Sequence, residues 1–194
     1  MIRILIAIPA SEYIKTECLK SIIAIDVPNN VTVDVEFVIG YGAAQSRNKA
    51  ACKAIDLNYD YILFIDSDQI VPVDVLHKLL SCNSDISTGW SMMAINDERT
   101  NISIYNAPDM HYDFMLRKDV PEGIIDVDAI GFSCILIKTS VFEKLKYPYF
   151  VYVEYSNRTI LSEDLYFCNM AKQAGFKILC DTSLNIGHIK TVII

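Results

Sequence analysis

The chain has 194 residues, 52% of them hydrophobic, and a net charge of −7 with a pI near 4.9. One domain of this length buries roughly 70% of its unfolded surface without disulfides, and the acidic balance excludes a nucleic-acid surface, which needs clustered Lys and Arg. Mean hydropathy is high at +0.28, but no run approaches the roughly 18 apolar residues of a transmembrane span, so a two-sided sheet covered by helices and a cytoplasmic location are expected.

Residues 3–8 form a β-rich run ended by Pro9, with Ala10 and Ser11 in the loop that follows. This run is too short, and lacks the small-residue cleavage site, for a signal peptide. Ser11 or Thr16 is a candidate cap for a helix reaching about Ala24. Pro28-Asn29-Asn30 marks a turn, and residues 31–39 alternate apolar and polar side chains as a half-buried strand does. A small-residue loop, Gly40-Tyr41-Gly42-Ala43-Ala44-Gln45, then opens a helix expected to begin near Ser46. Arg47 and Lys49 would lie in its first turn, where cations oppose the helix dipole. Either an anionic ligand or plain solvation accounts for them.

Residues 61–65 are an apolar, β-branched run that stops at Asp66-Ser67-Asp68-Gln69. A strand buried on both faces fits this pattern, and the two carboxylates then sit at the carboxyl edge of an α/β sheet, where ligands bind. Acids at alternate positions repel unless a proton or cation intervenes; ordinary turn acids are the plain alternative. Residues 73–80 read as a short helix behind Pro72, and residues 85–93 as a further strand ending near Trp90. The stretch 94–122 loses periodicity apart from a strand at 102–105, as a binding or lid loop does. Order returns at 124–130, and a strand follows at 134–137. Thr139 or Ser140 is placed to cap a helix, residues 147–152 are aromatic and irregular, and Ser162-Glu163-Asp164 opens a helix stopped by Gly175. A last strand covers 177–180, with Gly187-His188 near the end. The six cysteines form no Cys-x-x-Cys pair and read as buried thiols, and His77 and His111 read as ordinary surface histidines.

In order and spacing, Ser46-Arg47-Asn48-Lys49 before the strand ending Asp66-Ser67-Asp68, Gly131-Phe132 before Leu136-Ile137-Lys138, Ser162-Glu163-Asp164 before Phe167 and the late Gly187-His188 resemble the nucleotide-sugar glycosyltransferases of GT-A fold. The likeness is closest to glycosyltransferase family 2 and its small viral and bacterial relatives, and spans nearly the whole chain. It implies one α/β, Rossmann-like domain over residues 1–194, with a mostly parallel mixed sheet, helices on both faces, a donor-binding half at about 1–93 and an acceptor and catalytic half at about 94–194. It implies transfer of a sugar from a nucleotide diphosphate, UDP favoured, to a hydroxyl of a glycan or other acceptor.

The same resemblance assigns the residues. Mn²⁺ or Mg²⁺ would be held by Asp68 and His188, with Asp66 on the ribose or on the metal through water. Arg47 would meet the donor diphosphate, the Pro9-Ala10-Ser11 loop the nucleoside, and Ser67 would be a further donor-binding residue. The acid-rich segment that many members carry after the second strand is missing, which leaves Tyr41 as a stacking partner for the base. Asp164, or secondarily Glu163, would deprotonate the acceptor. A haloacid-dehalogenase-type phosphatase using Asp66 and Asp68, and a non-catalytic sugar- or protein-binding domain of the same fold, are the alternatives. The chain is short for this class, which also fits one module of a larger polypeptide.

Overall fold

The computed structural model describes residues 1–94, 96–106, 111–154 and 160–190. The chain opens with strand β1 (Ile2–Ala10), helix α1 (Thr16–Ile23), strand β2 (Val31–Ile39), helix α2 (Ala43–Asp56) and strand β3 (Tyr61–Ile65). The short strand β4 (Gln69–Ile70), helix α3 (Val75–Ser81) and strand β5 (Ile86–Trp90) come next, then β6 (Arg99–Asn106), β7 (His111–Leu116), β8 (Ile124–Asp126), β9 (Ala129–Ile130) and β10 (Cys134–Lys138). Helix α4 (Thr139–Lys144), strands β11 (Val153–Glu154) and β12 (Ile160–Leu161), helix α5 (Glu163–Gln173), β13 (Ile178–Asn185) and β14 (Gly187–His188) complete it.

Seven strands form the central sheet in the order β2-β1-β3-β10-β5-β13-β8. Five run in one direction, and β10 and β8 are reversed. The order turns back at β1, which lies between β2 and β3, so the crevice outside their carboxyl ends is a topological switch point of the kind that binds ligands in open α/β sheets. Alternation along the central strands assigns the two faces. Leu5, Ala7, Ile62, Phe64, Ile135 and Ile137 pack under α2, α4 and α5, while Ile4, Ile6, Ile8, Leu63, Ile65 and Leu136 pack under α1 and α3. Because both faces are covered, these strands are apolar throughout.

Several expectations are corrected. Strand β1 continues through Pro9 to Ala10; beyond Ala7 it is paired only with β2, whose register runs to Ala10↔Ile39. Helix α1 follows Lys15, and neither Ser11 nor Thr16 caps it. Helix α2 begins three residues earlier than expected. Gly42 is still extended, Ala43 and Ala44 are good helix formers, and the Ser46 N–H already donates to the Gly42 carbonyl at 2.9 Å. Arg47 therefore lies in the second turn and faces inward, so its helix-dipole argument does not apply. On β2 the apolar side chains Val35, Phe37 and Ile39 are 43%, 42% and 48% exposed, because this is the edge strand and helices do not extend over it on that side.

The stretch taken as irregular contains a hairpin, β6 with β7, extended on its other side by β9. Its register shifts between Arg99 and Ser103, which breaks the period-2 pattern that reveals strands in sequence. The thiols are free and, Cys52 apart, buried, as expected. Gly175, at φ +88°, adopts the left-handed conformation that stops α5. His77 lies at the surface against Asp26, and Trp90 is buried with its indole N–H on the Thr182 carbonyl at 2.9 Å.

Candidate active site

Asp66 and Asp68 leave the carboxyl end of β3 in a tight turn closed by the Gln69 N–H on the Asp66 carbonyl. A cavity of about 350 Å³ opens beside them, within the usual span of small-molecule sites of about 300–1,000 Å³. Asp66, Asp68, His188 and Asp164 line it, with Ser91, Asn101, Ser103 and Ser133 as a neutral polar wall and Phe114, Phe132, Met93 and Leu165 as an apolar one. The lining draws on both halves of the chain.

His188 reaches the turn because β14 pairs antiparallel with β4, opposing His188 to Gln69. Its Nδ1 bonds to the Met92 carbonyl at 2.9 Å and its Nε2 faces Asp68 Oδ2 at 3.2 Å. A carbonyl only accepts, so Nδ1 carries a proton, and Nε2 needs a second proton or a cation to face a carboxylate. The bond to Asp68 raises the pKa of His188. Burial alone would raise Asp68, but hydrogen bonds from His188 and from Gln69, whose Nε2 stands 2.9 Å away, outweigh it and hold Asp68 below the ordinary carboxylate range. Among the described residues no three His, Cys, Asp or Glu side chains converge as a metal cluster. Asp66, expected alongside these two, has Oδ1 bonded to Arg47 instead.

Arg47 is 3% exposed. Its Nη2 donates to Asp66 Oδ1 at 2.7 Å, its Nη1 donates to Glu163, and its guanidinium lies 5.1 Å from the Phe132 ring centre. Burial works against this charge, but Asp66, Glu163 and Asp164 outweigh it and raise the pKa of Arg47 further. For Asp66, burial prevails over Arg47 and, with repulsion from Asp68 and Asp164, pushes it up to about 6. About a third of its side chain (34%) is open to the cavity, so solvent screening moderates that effect. Arg47, expected at the donor diphosphate, ties the turn after β3 to the start of α5 through Asp66 and Glu163.

Helix α5 presents its two acids in opposite ways. Glu163 is 5% exposed and bound to Arg47, and it takes a hydrogen bond from Tyr152, whose pKa burial and this bond push up to about 12. It does not line the cavity. Asp164 does: its Oδ1 accepts from the Ser162 hydroxyl and from the Leu165 N–H at 2.8 Å, while Oδ2 lies 3.4 Å from where a Cβ on Gly131 would stand. Ser162 therefore holds the carboxylate of Asp164 instead of capping the helix through its side chain.

The remaining donor candidates sit outside this cavity. Pro9 and Ala10 are buried at the end of β1, Ser11 is exposed, and the Ser67 carbonyl accepts from the Lys15 N–H at 3.0 Å. Tyr41 is 38% exposed, but Lys49 covers its ring with Nζ 3.8 Å from the centroid, so a stacked base would have to displace that lysine.

Sequence reasoning missed the opposite wall. Asn101 is 4% exposed and links three segments: its Oδ1 accepts from the Ser91 N–H at 2.8 Å, and its Nδ2 donates to the Gly131 carbonyl at 2.7 Å and to Ser133 Oγ at 3.0 Å. Asn48 likewise anchors the aromatic segment, donating to the Phe150 carbonyl at 2.8 Å and accepting from the N–H of Tyr149 and Phe150. A lone Asn in an unperiodic stretch carries no local signal; the Asn in Ser46-Arg47-Asn48-Lys49 had its motif but no role.

No protein-family model matches the chain, and no curated protein matches it. Solved structures do. The structure of A197 from STIV superposes with a TM-score of 0.69 at 20% identity, covering 98% of this chain and 87% of that one. S. aureus TarS (residues 1–349), in complex with UDP-GlcNAc, gives 0.61 at 13% identity over 99% of this chain and 59% of its own. GalNAc-T7 with UDP, GalNAc and Mn²⁺ gives 0.56 at 13% identity, covering 98% and 44%. The chain has the GT-A glycosyltransferase fold. At these identities the likeness establishes the GT-A architecture, and the chain spans less than two thirds of TarS (residues 1–349) and under half of GalNAc-T7. Within the GT-A frame the turn after β3, β14 and the start of α5 meet around one cavity. Among the described residues no helix is long and apolar enough to cross a membrane.

Proposed function

We propose that this chain is a metal-dependent glycosyltransferase that moves a sugar from a nucleotide diphosphate, UDP by preference, to a hydroxyl of a glycan or other acceptor. The observation that carries the reading is the Asp68–His188 pair. A histidine whose Nδ1–H is held by a backbone carbonyl, with Nε2 directed at a carboxylate beside an acidic cavity, is oriented as metal-binding histidines are. Carboxylate oxygen with imidazole nitrogen suits Mn²⁺ best; Mg²⁺ prefers oxygen alone. Asp68 and His188 would hold the ion, and Asp66, fixed by Arg47, would contact the ribose or the ion through water. When bound, the cation supplies charge stabilisation for the departing diphosphate. Of the neighbours, TarS is bound to UDP-GlcNAc and GalNAc-T7 to UDP and Mn²⁺, which supports the same ligand class here.

Asp164 is the base of this reading. With Oδ1 held by Ser162 and the Leu165 N–H, Oδ2 is directed toward the cavity and accepts the acceptor's proton as its oxygen attacks the anomeric carbon. A Cβ at Gly131 would stand 3.4 Å from that oxygen and 3.3 Å from the Asn101 Cβ, so the glycine keeps the space beside them open. Glu163 serves the site through Arg47, as a positioning residue. Pro9, Ala10, Ser11, Ser67 and Tyr41, at the carboxyl edge of β1–β3, would take the nucleoside once Lys49 shifts from Tyr41. Residues 1–93 then form the donor half and 94–194 the acceptor half, a division that also suits a module of a longer cytoplasmic polypeptide.

The test is to titrate Mn²⁺ and UDP-, GDP- and dTDP-sugars while following thermal stability and slow donor hydrolysis. The reading expects a metal-dependent rise in melting temperature with at least one nucleotide sugar, together with hydrolysis. Stabilisation without turnover would favour a binding domain, and hydrolysis of simple phosphomonoesters abolished by Asp66→Asn would favour the phosphatase. Absence of any stabilisation with metal would contradict the transferase.

A further inference from the structure

The carboxylates of the cavity differ in what offsets them. Asp66 is bonded to Arg47, and Asp68 faces His188. Asp164 lies near enough to Arg47 to help raise its pKa, but its hydrogen bonds come only from neutral donors, the Ser162 hydroxyl and the Leu165 N–H. No Lys or Arg lines the cavity among the described residues, and its other polar groups, on Ser91, Asn101, Ser103 and Ser133, are uncharged. Ser103 is 1% exposed and its hydroxyl has no hydrogen-bond partner among the described residues, which leaves it available to a ligand. At about 350 Å³ the space suits a glycosyl group better than a whole nucleotide.

We propose that the cavity selects an uncharged sugar and rejects one bearing a carboxylate, with Asp164 as the residue that sets this discrimination. The inference rests on the transferase reading and narrows its substrate class. A uronic acid would bring its anion into a confined space beside Asp164, whose hydrogen bonds come only from neutral donors, and among the described residues no Lys or Arg lines that space to receive it; like charges at such closeness are strongly unfavourable. The hydroxyls of a neutral hexose instead find serine and asparagine groups on one wall, and its C–H faces find Phe114, Phe132 and Leu165 on the other.

Two matched pairs isolate the charge: UDP-glucose with UDP-glucuronic acid, and UDP-galactose with UDP-galacturonic acid, each differing only at C6. Dissociation constants are measured by calorimetry with Mn²⁺ present, alongside UDP itself. The expected result is that the neutral member of at least one pair binds about tenfold or more tightly than its uronic acid, and that Asp164→Asn reduces this ratio about tenfold. Asp164→Ala should reduce it too and serves if the Asn variant is poorly folded. A uronic acid that binds as tightly as its neutral partner in both pairs overturns the inference, as does a ratio that neither variant changes. If UDP fails to bind with Mn²⁺, the transferase reading falls and takes this inference with it; UDP binding without discrimination at C6 overturns the inference alone.

Discussion

Arg47 is the residue on which the site's geometry turns. Its guanidinium joins Asp66, at the end of β3, to Glu163, at the start of α5, from a position 3% exposed. Truncating one partner of a buried ion pair leaves the other charge uncompensated, so Arg47→Met should destabilise the fold by about 3–5 kcal/mol. Urea unfolding measures this, and the double variant Arg47→Met with Glu163→Leu should recover part of the loss because one of the two stranded carboxylates is gone. A double variant no more stable than the single one would contradict this account. The sequence alone left Arg47 to either an anionic ligand or plain solvation. The presence of a cation was legible in it, but one of its two partners, Glu163, is 116 positions away, a pairing that no local pattern encodes. For Asp164 the reverse holds: acids in a first helical turn are common, yet its motif pointed to the residue that does line the cavity.

Elements bring these residues together through a few close approaches. Strands β5 and β13 run parallel, with an irregularity between Cys180 and Asn185, and Gly89 lies where they touch. A Cβ there would meet the Leu184 carbonyl oxygen at 2.5 Å and the Leu184 side chain at 2.9 Å. Gly89→Ala should therefore cost about 1–3 kcal/mol as an overpacking substitution, read as a lower melting temperature; an unchanged melting temperature would mean that the strands separate freely. Strand β13 leads into β14 and so to His188, which makes this contact part of how the histidine reaches Asp68. The sequence yielded β3, β10 and most helices because their apolar periods are unbroken. It did not yield the β6–β7 hairpin, whose register shift interrupts alternation, nor the start of α2, where alanines read equally as loop and as helix. The full length of β13 was hidden for a similar reason, since Asp181, Thr182 and Ser183 look like a loop although the strand continues through them.

At the scale of the molecule, the order β2-β1-β3-β10-β5-β13-β8 puts the Asp66-Ser67-Asp68 turn at the switch point of the sheet. The overall architecture was legible because alternating βα units, a buried strand ending in two acids and a late histidine occur in one order. The division of labour between the acids was not, since it depends on which carboxylate receives Arg47 and which receives His188. The structure gives Asp66 to the arginine and leaves Asp68 with the histidine, and this assignment makes the central claim testable at one residue. The direct measurement is release of UDP from the preferred UDP-sugar by the wild-type protein and by Asp68→Ala, each with Mn²⁺ and with chelator. The account predicts release that requires the metal and falls by about 100-fold or more in Asp68→Ala, whereas undiminished release in chelator or in Asp68→Ala would contradict it.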